Sequence, residues 1–269
     1  MWDPAIYLAF DDLRARPFFD LVNRVRADRP RRVADVGCGP GNLTATLPDR
    51  WPDATIEAFD SSPDMVAAAR EHGIDATVAD VRDWDPAPDT DVVVTNAVLQ
   101  WVPDHLALLP KWIDALPGGA WLALQVPGNF DAPSHVAIRD VASSPRWRER
   151  LSAAGILDRQ AVPDPDGYAS VLAAAGCAVD AWETTYLQPL TGEDPVLHWV
   201  TGTALRPVRD TLDDQEWQDF RADLAPFLRD AYPRNPDGTT WLPFRRVFAV
   251  AHKVSAVAHE VSGVAHEAE

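Results

Sequence analysis

The chain has little cysteine and little lysine, and both shortages exclude classes of protein. Its two cysteines, Cys38 and Cys177, are too few for a disulfide framework. Lys111 and Lys253 are its only lysines, and all basic residues number 24 against 41 acidic ones, a formal net charge of −17. Nucleic acids and anionic membranes bind basic surfaces. We therefore expect neither of them as a partner.

The sequence also lacks a long apolar run. The most apolar segment, residues 120–126, ends at Pro127, whereas a transmembrane helix needs about 20 residues. Residues 1–7 contain neither the charged region nor the apolar region of a secretory signal peptide. The sequence predicts a cytoplasmic protein.

Strand and helix signals alternate through the first half of the chain. This alternation indicates an α/β fold with a parallel, doubly wound sheet. No Gly/Ser-rich linker separates the two halves, so a single domain with helical insertions is expected over residues 1–254. The predicted strands cover residues 32–36, 55–59, 74–79, 91–95, 120–126, 178–187 and 246–252. The predicted helices begin near residues 42, 63, 103, 133, 166, 194 and 213.

The end of the chain is a seven-residue repeat in three copies, residues 249–255, 256–262 and 263–269. On a helix, its histidines His252, His259 and His266 would stand about 10 Å apart, too far to share one metal ion. We predict no metal site. Residues 255–269 are expected to be a disordered tail.

A glycine-rich motif, Asp35-Val-Gly-Cys-Gly-Pro-Gly-Asn42, lies between the first predicted strand and the following helix. Glycines at alternate positions permit a tight turn and the close approach of a ligand. The dinucleotide fingerprint G-x-G-x-x-G would place its third glycine one residue later, which disfavours a nicotinamide-dependent dehydrogenase. Burial of Asp35 would be costly without a partner, so it either faces a cationic ligand or fixes the turn.

This motif resembles the first signature of the class I S-adenosylmethionine-dependent methyltransferases. The resemblance implies a Rossmann-like sheet, with Asp60 on the ribose hydroxyls and Asp80 on the adenine amino group. A carboxylate suits the ribose because it accepts hydrogen bonds from two adjacent hydroxyls. The other cofactor-binding residues that the resemblance implies are Asp35, Gly37, Gly39, Gly41, Ser61, Val81, Asn96, Gln100 and Trp101.

Further segments, spread from Trp2 to Lys253, narrow the resemblance to the trans-aconitate 2-methyltransferase family. It implies a cofactor-binding half at about residues 30–127 and a substrate-binding half, with a helical cap, at about 128–254. The segments are Trp2-Asp-Pro-x-x-Tyr7, Asp60-Ser-Ser-Pro63, Asn96-x-x-Leu-Gln-Trp101-x-Pro-Asp-His105, Trp182-x-Thr-Thr-Tyr186 and Trp199-Val-Thr-Gly-Thr-x-Leu-Arg-Pro207.

Enzymes of this family esterify a carboxylate of a small tricarboxylic acid. A carboxylate is already ionised at pH 7, so no general base is expected, and catalysis would consist of positioning and desolvation. The carboxylates that do not react would suit arginine side chains, which donate two parallel hydrogen bonds. The candidate substrate-binding residues are Arg206, Arg246 (or its neighbour Arg245), Tyr7, His135, Tyr186 and Trp199, with His105 a further possible contact.

Two other functions remain open from the sequence. The acid could be another small acid or one bound to an acyl carrier protein, and an acidic carrier would require an exposed basic patch. A protein that binds the cofactor without catalysis would have a blocked cavity beside it. The sequence predicts no oligomeric state.

Overall fold

The computed structural model describes residues 11–156 and 162–255, with side chains from residue 15 onward. Seven strands in this part of the chain form one sheet. In chain order they are β1 (Arg32–Val36), β2 (Thr55–Asp60), β3 (Ala76–Val78), β4 (Thr90–Asn96), β5 (Trp121–Pro127), β6 (Cys177–Leu190) and β7 (Thr240–Lys253).

The strands lie side by side in the order β3-β2-β1-β4-β5-β7-β6. Strands β1 to β5 are parallel, and β7 lies between β5 and β6, antiparallel to both. The predicted fold, a doubly wound and mostly parallel seven-stranded sheet, is confirmed. The strand order reverses between β1 and β4, so a crevice is expected at the carboxyl ends of these strands.

Ten α-helices connect the strands in the described residues. They are α1 (Asp11–Val22), α2 (Leu47–Arg50), α3 (Pro63–Glu71), α4 (Leu108–Ala115), α5 (Pro133–Ala142), α6 (Arg148–Leu151), α7 (Pro165–Ala174), α8 (Pro195–Thr201), α9 (Arg206–Thr211) and α10 (Asp214–Ala231). Short 3-10 helices cover Thr44–Thr46, Leu99–Trp101 and His105–Ala107. No helix in the described part of the chain is long and apolar enough to cross a membrane.

Three predicted elements differ most from the structure. The helix predicted from residue 42 consists of one 3-10 turn and α2, which ends just before Pro52, a residue without the N–H that a longer helix requires. The helix predicted from residue 103 begins only after Asp104, whose φ of +55° is not helical. The last strand begins at Thr240 rather than at Arg246, and its first residues pair with β6. The prediction began too late because Pro243 is a residue that is unfavourable inside a strand.

The helical insertions form a cap beside the sheet. Helices α5, α6, α8, α9 and α10 share one apolar cluster with the ends of β6 and β7. Its large members include Trp147, Trp199 and Phe220. The sheet itself is covered by α1 on one face and by α4 and α7 on the other. The cap therefore lies next to the carboxyl ends of the parallel strands, where the crevice is expected.

Candidate active site

The glycine loop after β1 forms one wall of a cavity of ≈390 Å³. Gly37 has a φ of +81°, and a Cβ atom on it would lie 2.3 Å from Val98 Cγ2. Gly39 has a φ of +56°, and a Cβ atom there would meet no protein atom within 4 Å. Gly37 is thus required by the packing of the loop, whereas Gly39 leaves space open in the cavity.

Asp60, at the end of β2, holds the tip of this loop. Its Oδ2 accepts a hydrogen bond from the Gly39 N–H at 3.0 Å, and its Oδ1 accepts one from the Ser62 N–H at 2.9 Å. Burial raises the pKa of this carboxyl, opposed by these backbone donors and by the charge of Arg206. The carboxylate is therefore fixed in orientation before any ligand arrives.

Asp35 and Gly41 are not among the residues that line this cavity. Asp35 is buried, and its Oδ2 accepts a hydrogen bond from Thr44 Oγ1 at 2.6 Å. Burial raises its pKa to about 6, and the Thr44 hydrogen bond opposes that shift. Of the two predicted roles, the structure favours fixing the turn. Gly41 packs against Ala69 of α3, where a Cβ atom would lie 2.8 Å from the Ala69 Cβ.

Most of the predicted cofactor-binding residues do line the cavity. They are Gly37, Gly39, Asp60, Ser61, Asp80, Val81, Asn96 and Trp101. Asp80 is paired within the chain, since its carboxylate accepts hydrogen bonds from Arg82 Nε at 2.9 Å and from Arg82 Nη2. These hydrogen bonds lower its pKa to about 2, so it is ionised throughout the physiological range.

A second, smaller cavity of ≈150 Å³ lies between the cap, the carboxyl end of β5 and the amino-terminal half of β7. Its lining includes four of the predicted substrate-binding residues, Arg206, Arg246, His135 and Trp199. It also includes Arg139, which the sequence analysis missed, and Gln100, which was predicted to bind the cofactor. None of the described residues that line it is Asp or Glu.

Arg246 is the buried cation of this cavity. Its side chain lies on β7 and is only 6% exposed. Its Nη1 donates to Gln125 Oε1 at 3.3 Å, and its Cζ lies 4.5 Å from the centroid of the Phe244 ring. Gln125, on β5, is a positioning residue that the sequence analysis missed. The guanidinium is thus held by a neutral side chain and an aromatic ring.

His135 and Trp199 give the cavity shape rather than charge. Trp199 is fully buried and packs edge-to-face against Phe244, with ring centroids 5.5 Å apart. Burial, together with the charge of Arg139, lowers the pKa of His135 to about 4. The imidazole is therefore neutral at pH 7.

Three other predicted contacts are not found in this cavity. Tyr186 does not line it, and its hydroxyl donates to Asp20 Oδ2 on α1 at 2.7 Å. Arg245 follows the alternation of β7 to the opposite face, where it forms ion pairs with Asp164 and Glu183. Tyr7 lies outside the described residues.

His105 is buried outside both cavities. Its Nδ1 lies 3.1 Å from the Val102 carbonyl oxygen, so this nitrogen carries the proton. Its Nε2 then accepts a hydrogen bond from the Tyr168 hydroxyl at 2.8 Å. Since Val102 lines the larger cavity, His105 supports its wall without lining either cavity itself.

The two cavities share Ala97, Trp101 and Arg206 as a common wall. Ala97 follows β4 with a φ of +60°, a left-handed conformation that is unfavourable for a residue with a Cβ atom. Its N–H donates to the Gln125 carbonyl oxygen at 2.8 Å, which fixes it there. The larger and the smaller cavity are therefore adjacent at this wall.

Comparison with known proteins identifies the family. A family model described as a methyltransferase domain matches residues 10–181. The chain is 64% identical to the trans-aconitate 2-methyltransferase of Rhodococcus jostii over 251 residues, which cover 93% of this chain and 99% of the relative. The chain belongs to the trans-aconitate 2-methyltransferase family. It is likewise 60% identical to the trans-aconitate 2-methyltransferase of Mycolicibacterium gilvum, with 93% and 98% coverage.

A solved structure shows the same fold at low identity. The YcgJ protein of Bacillus subtilis matches with a TM-score of 0.56 and 15% identity, over 90% of this chain and 99% of that chain. The methyltransferase domain and the close relatives, rather than this fold match, identify the chain as an S-adenosylmethionine-dependent enzyme, as its sequence predicts. Membership of this family excludes a nicotinamide-dependent dehydrogenase and favours an enzyme over a protein that binds the cofactor without catalysis.

The larger cavity fits S-adenosylmethionine chemically. Asp60 presents a fixed carboxylate at its wall, and Gly39 leaves space where another residue would place a side chain. Asn96 Oδ1 is buried at the same wall without a hydrogen-bond partner among the described residues. A ligand with hydroxyl and ammonium donors would satisfy such acceptors.

Proposed function

We propose that this methyltransferase esterifies a carboxylate of trans-aconitate, which binds in the smaller cavity. The observation that carries the proposal is the charge of that cavity. Arg139, Arg206 and Arg246 line it together with no acidic residue among those described, in a chain of net charge −17. Relatives with 57–64% identity bear the name trans-aconitate 2-methyltransferase, which supports the same substrate.

For the cofactor, we propose that Asp60 binds the ribose hydroxyls and that Gly37 and Gly39 contact the ligand through their backbone. Ser61, Asp80, Val81, Asn96 and Trp101 complete this part of the site. When bound, S-adenosylmethionine supplies an electrophilic methyl group. The residues of the chain need only hold the acid in line with that group and keep water away.

The arginines perform the first of these tasks. The substrate carboxylate is ionised at pH 7 and is itself the nucleophile, so a base has no proton to remove. Arg206, in the common wall, lies where the reacting end of the acid must be. Arg246 binds the acid from the sheet side. Trp199 and Phe244 exclude water around them, which strengthens both charged interactions.

The turnover rate is expected to be nearly constant from about pH 6.5 to 8.5. Arginine does not titrate in this range, and the pKa values of His105 and His135 are lowered by burial, that of His135 to about 4. The imidazole of His135 is therefore already neutral at the acid end of the range, and burial disfavours protonation of His105. The measurement is kcat at saturating cofactor and acid. A sigmoidal decrease centred near pH 6.5 would indicate a histidine base and contradict the mechanism.

Asp60→Ala is expected to weaken cofactor binding by about 1.5–3 kcal/mol, the usual contribution of a hydrogen bond to a charged group. Calorimetry should give the same loss for S-adenosylhomocysteine, which carries the same ribose. Asp64→Ala is the control, since this exposed acid lies four residues further on in α3. If Asp60→Ala alters only the KM of the acid substrate, the assignment to the cofactor is wrong.

The proposed reaction is tested by transfer of a labelled methyl group to a panel of di- and tricarboxylic acids. Trans-aconitate is expected to give the highest kcat/KM, with one methyl ester identified by mass analysis. An acyl carrier protein loaded with a dicarboxylic acid belongs in the same panel. Preferred methylation of that carrier, or of none of the acids, would refute the proposal.

Some sequence-based expectations stay proposals. These are the single domain over residues 1–254, the division at about residue 128, the cytoplasmic location and the lack of a macromolecular partner. The repeat tail lies outside the described residues from 256 onward.

A further inference from the structure

Arg139 brings a third positive charge to the smaller cavity. It lies on α5, four residues after His135 and thus on the same face of the helix, and both residues line the cavity. Its Nη1 donates to the Phe130 carbonyl oxygen at 2.7 Å. No carboxylate lies within ion-pair distance of it in the described part of the chain. A guanidinium has five donors, so most of its capacity is left for a ligand.

The guanidinium of Arg139 is directed toward the cavity side of α5, because it contacts Phe130 and both residues line the cavity together with His135. Its charge adds to burial in lowering the pKa of His135. In contrast, many other arginines of the chain are engaged with carboxylates at the surface. Arg146 with Asp219 and Arg150 with Glu216 are examples from the neighbouring helix α6 and the segment before it.

The three arginines reach the cavity from three separate elements. Arg206 lies on α9 and lines both cavities. Arg246 on β7 and Arg139 on α5 line the smaller cavity but not the larger one. A tricarboxylate carries three negative groups that also point in different directions. The number and the separate origins of the cations match a tricarboxylate better than a dicarboxylate.

We propose that Arg139 binds one of the two carboxylates that are not methylated and thereby selects tricarboxylic over dicarboxylic acids. This inference rests on the proposed function. Arginine is suited to the role because it donates two parallel hydrogen bonds to one carboxylate. An acid that lacks the matching carboxylate would leave this guanidinium without its ligand, at a loss of affinity.

The test combines one substitution, Arg139→Gln, with three dicarboxylic analogues of trans-aconitate. Mesaconate, itaconate and cis-glutaconate each lack a different carboxylate of trans-aconitate. Their dissociation constants, and that of trans-aconitate, are measured by calorimetry on the S-adenosylhomocysteine complexes of the wild type and Arg139→Gln. For trans-aconitate the variant should bind roughly 10- to 100-fold more weakly. For one analogue, the one that lacks the carboxylate bound by Arg139, the variant and the wild type should agree within about twofold.

A purely structural role for Arg139, through its hydrogen bond to Phe130, predicts a different result. All four acids would then lose affinity by the same factor, and this outcome would overturn the inference. Equal affinity of the wild type and Arg139→Gln for trans-aconitate would also overturn it. Arg139→Lys should restore part of the affinity, because an ammonium keeps the charge but cannot donate two parallel bonds.

Arg148→Gln is the matched control. Arg148 also donates to a backbone carbonyl, from Nε to the Ser143 oxygen at 3.1 Å, but it is exposed and lines neither cavity. Its replacement should leave all four dissociation constants unchanged. If the wild type methylates trans-aconitate but Arg139→Gln behaves like Arg148→Gln, the inference alone fails. If the wild type neither binds nor methylates any of the acids, the proposed function fails and the inference with it.

Discussion

Gly39→Ala is expected to weaken S-adenosylmethionine binding by roughly 10- to 100-fold, and Gly39→Val to abolish it. A Cβ atom at Gly39 meets no protein atom within 4 Å, so an added methyl group extends into the space that the ligand needs. Overfilling a packed site by one or two methyl groups costs about 1–3 kcal/mol. Calorimetry on the purified variants measures the loss directly.

Substitutions at two further glycines are controls that distinguish a side chain filling the cofactor cavity from strain in the backbone. Gly73, with a φ of +80°, also has open space around a Cβ atom, but it lies after α3 and outside the cofactor cavity. Gly73→Ala should therefore lower the melting temperature slightly and leave cofactor affinity unchanged. Gly37→Ala would clash with Val98 and should lower both quantities. Unchanged affinity in Gly39→Val would place the cofactor elsewhere.

Arg246→Ala is expected to raise the KM for trans-aconitate by a factor that corresponds to about 2–5 kcal/mol, the loss on truncating one member of a buried charge pair. The KM for S-adenosylmethionine should change little, because Arg246 does not line the larger cavity. Added salt should not restore activity, since screening ions do not replace a buried guanidinium. Arg246→Lys should recover only part of the loss.

The neighbouring residue supplies the control for this substitution. Arg245→Ala removes the same charge from the opposite face of β7, where the side chain contacts Asp164 and Glu183, and should leave the KM of the acid within about twofold. Arg206→Ala should raise that KM less than Arg246→Ala does, because the Arg206 side chain is 41% exposed and forms an ion pair with Asp210. Unchanged kinetics in both Arg206→Ala and Arg246→Ala would move the carboxylate site elsewhere.

The parallel half of the fold could be predicted closely from local signals. The predicted β1 has the observed bounds, and α3 begins at Pro63 after a Ser62 cap whose side chain accepts from the Met65 N–H. Such elements are determined by residues adjacent in sequence. The start of β7 was missed because its pairing partner, β6, lies about fifty residues earlier, and Pro243 gives the opposite local signal.

The residues of the site that belong to a sequence motif could be predicted, whereas those that only the fold brings together could not. The loop at Gly37 and Gly39 follows its strand directly and could be found from spacing alone. Arg139 and Gln125 belong to no recognisable motif. An arginine on a helix and a glutamine in a strand usually face solvent, so neither is expected in a site from the sequence. Only the assembled cavity shows that Arg139 lines it and that Gln125 holds Arg246 there. Tyr186 shows the reverse case, a residue of a family segment that bonds to α1 instead.

The position of β7 has a consequence for synthesis on the ribosome. This strand is the last of the described strands to be made, yet it lies between β5 and β6 rather than at the edge. Until the chain has emerged through Lys253, β5 has a bare edge and β6 has no neighbour in the sheet. Such edges are templates for pairing with other chains. The nascent enzyme therefore carries unpaired, aggregation-prone strand edges until β7 has emerged, and a stop codon before Thr240 would leave those edges unpaired permanently.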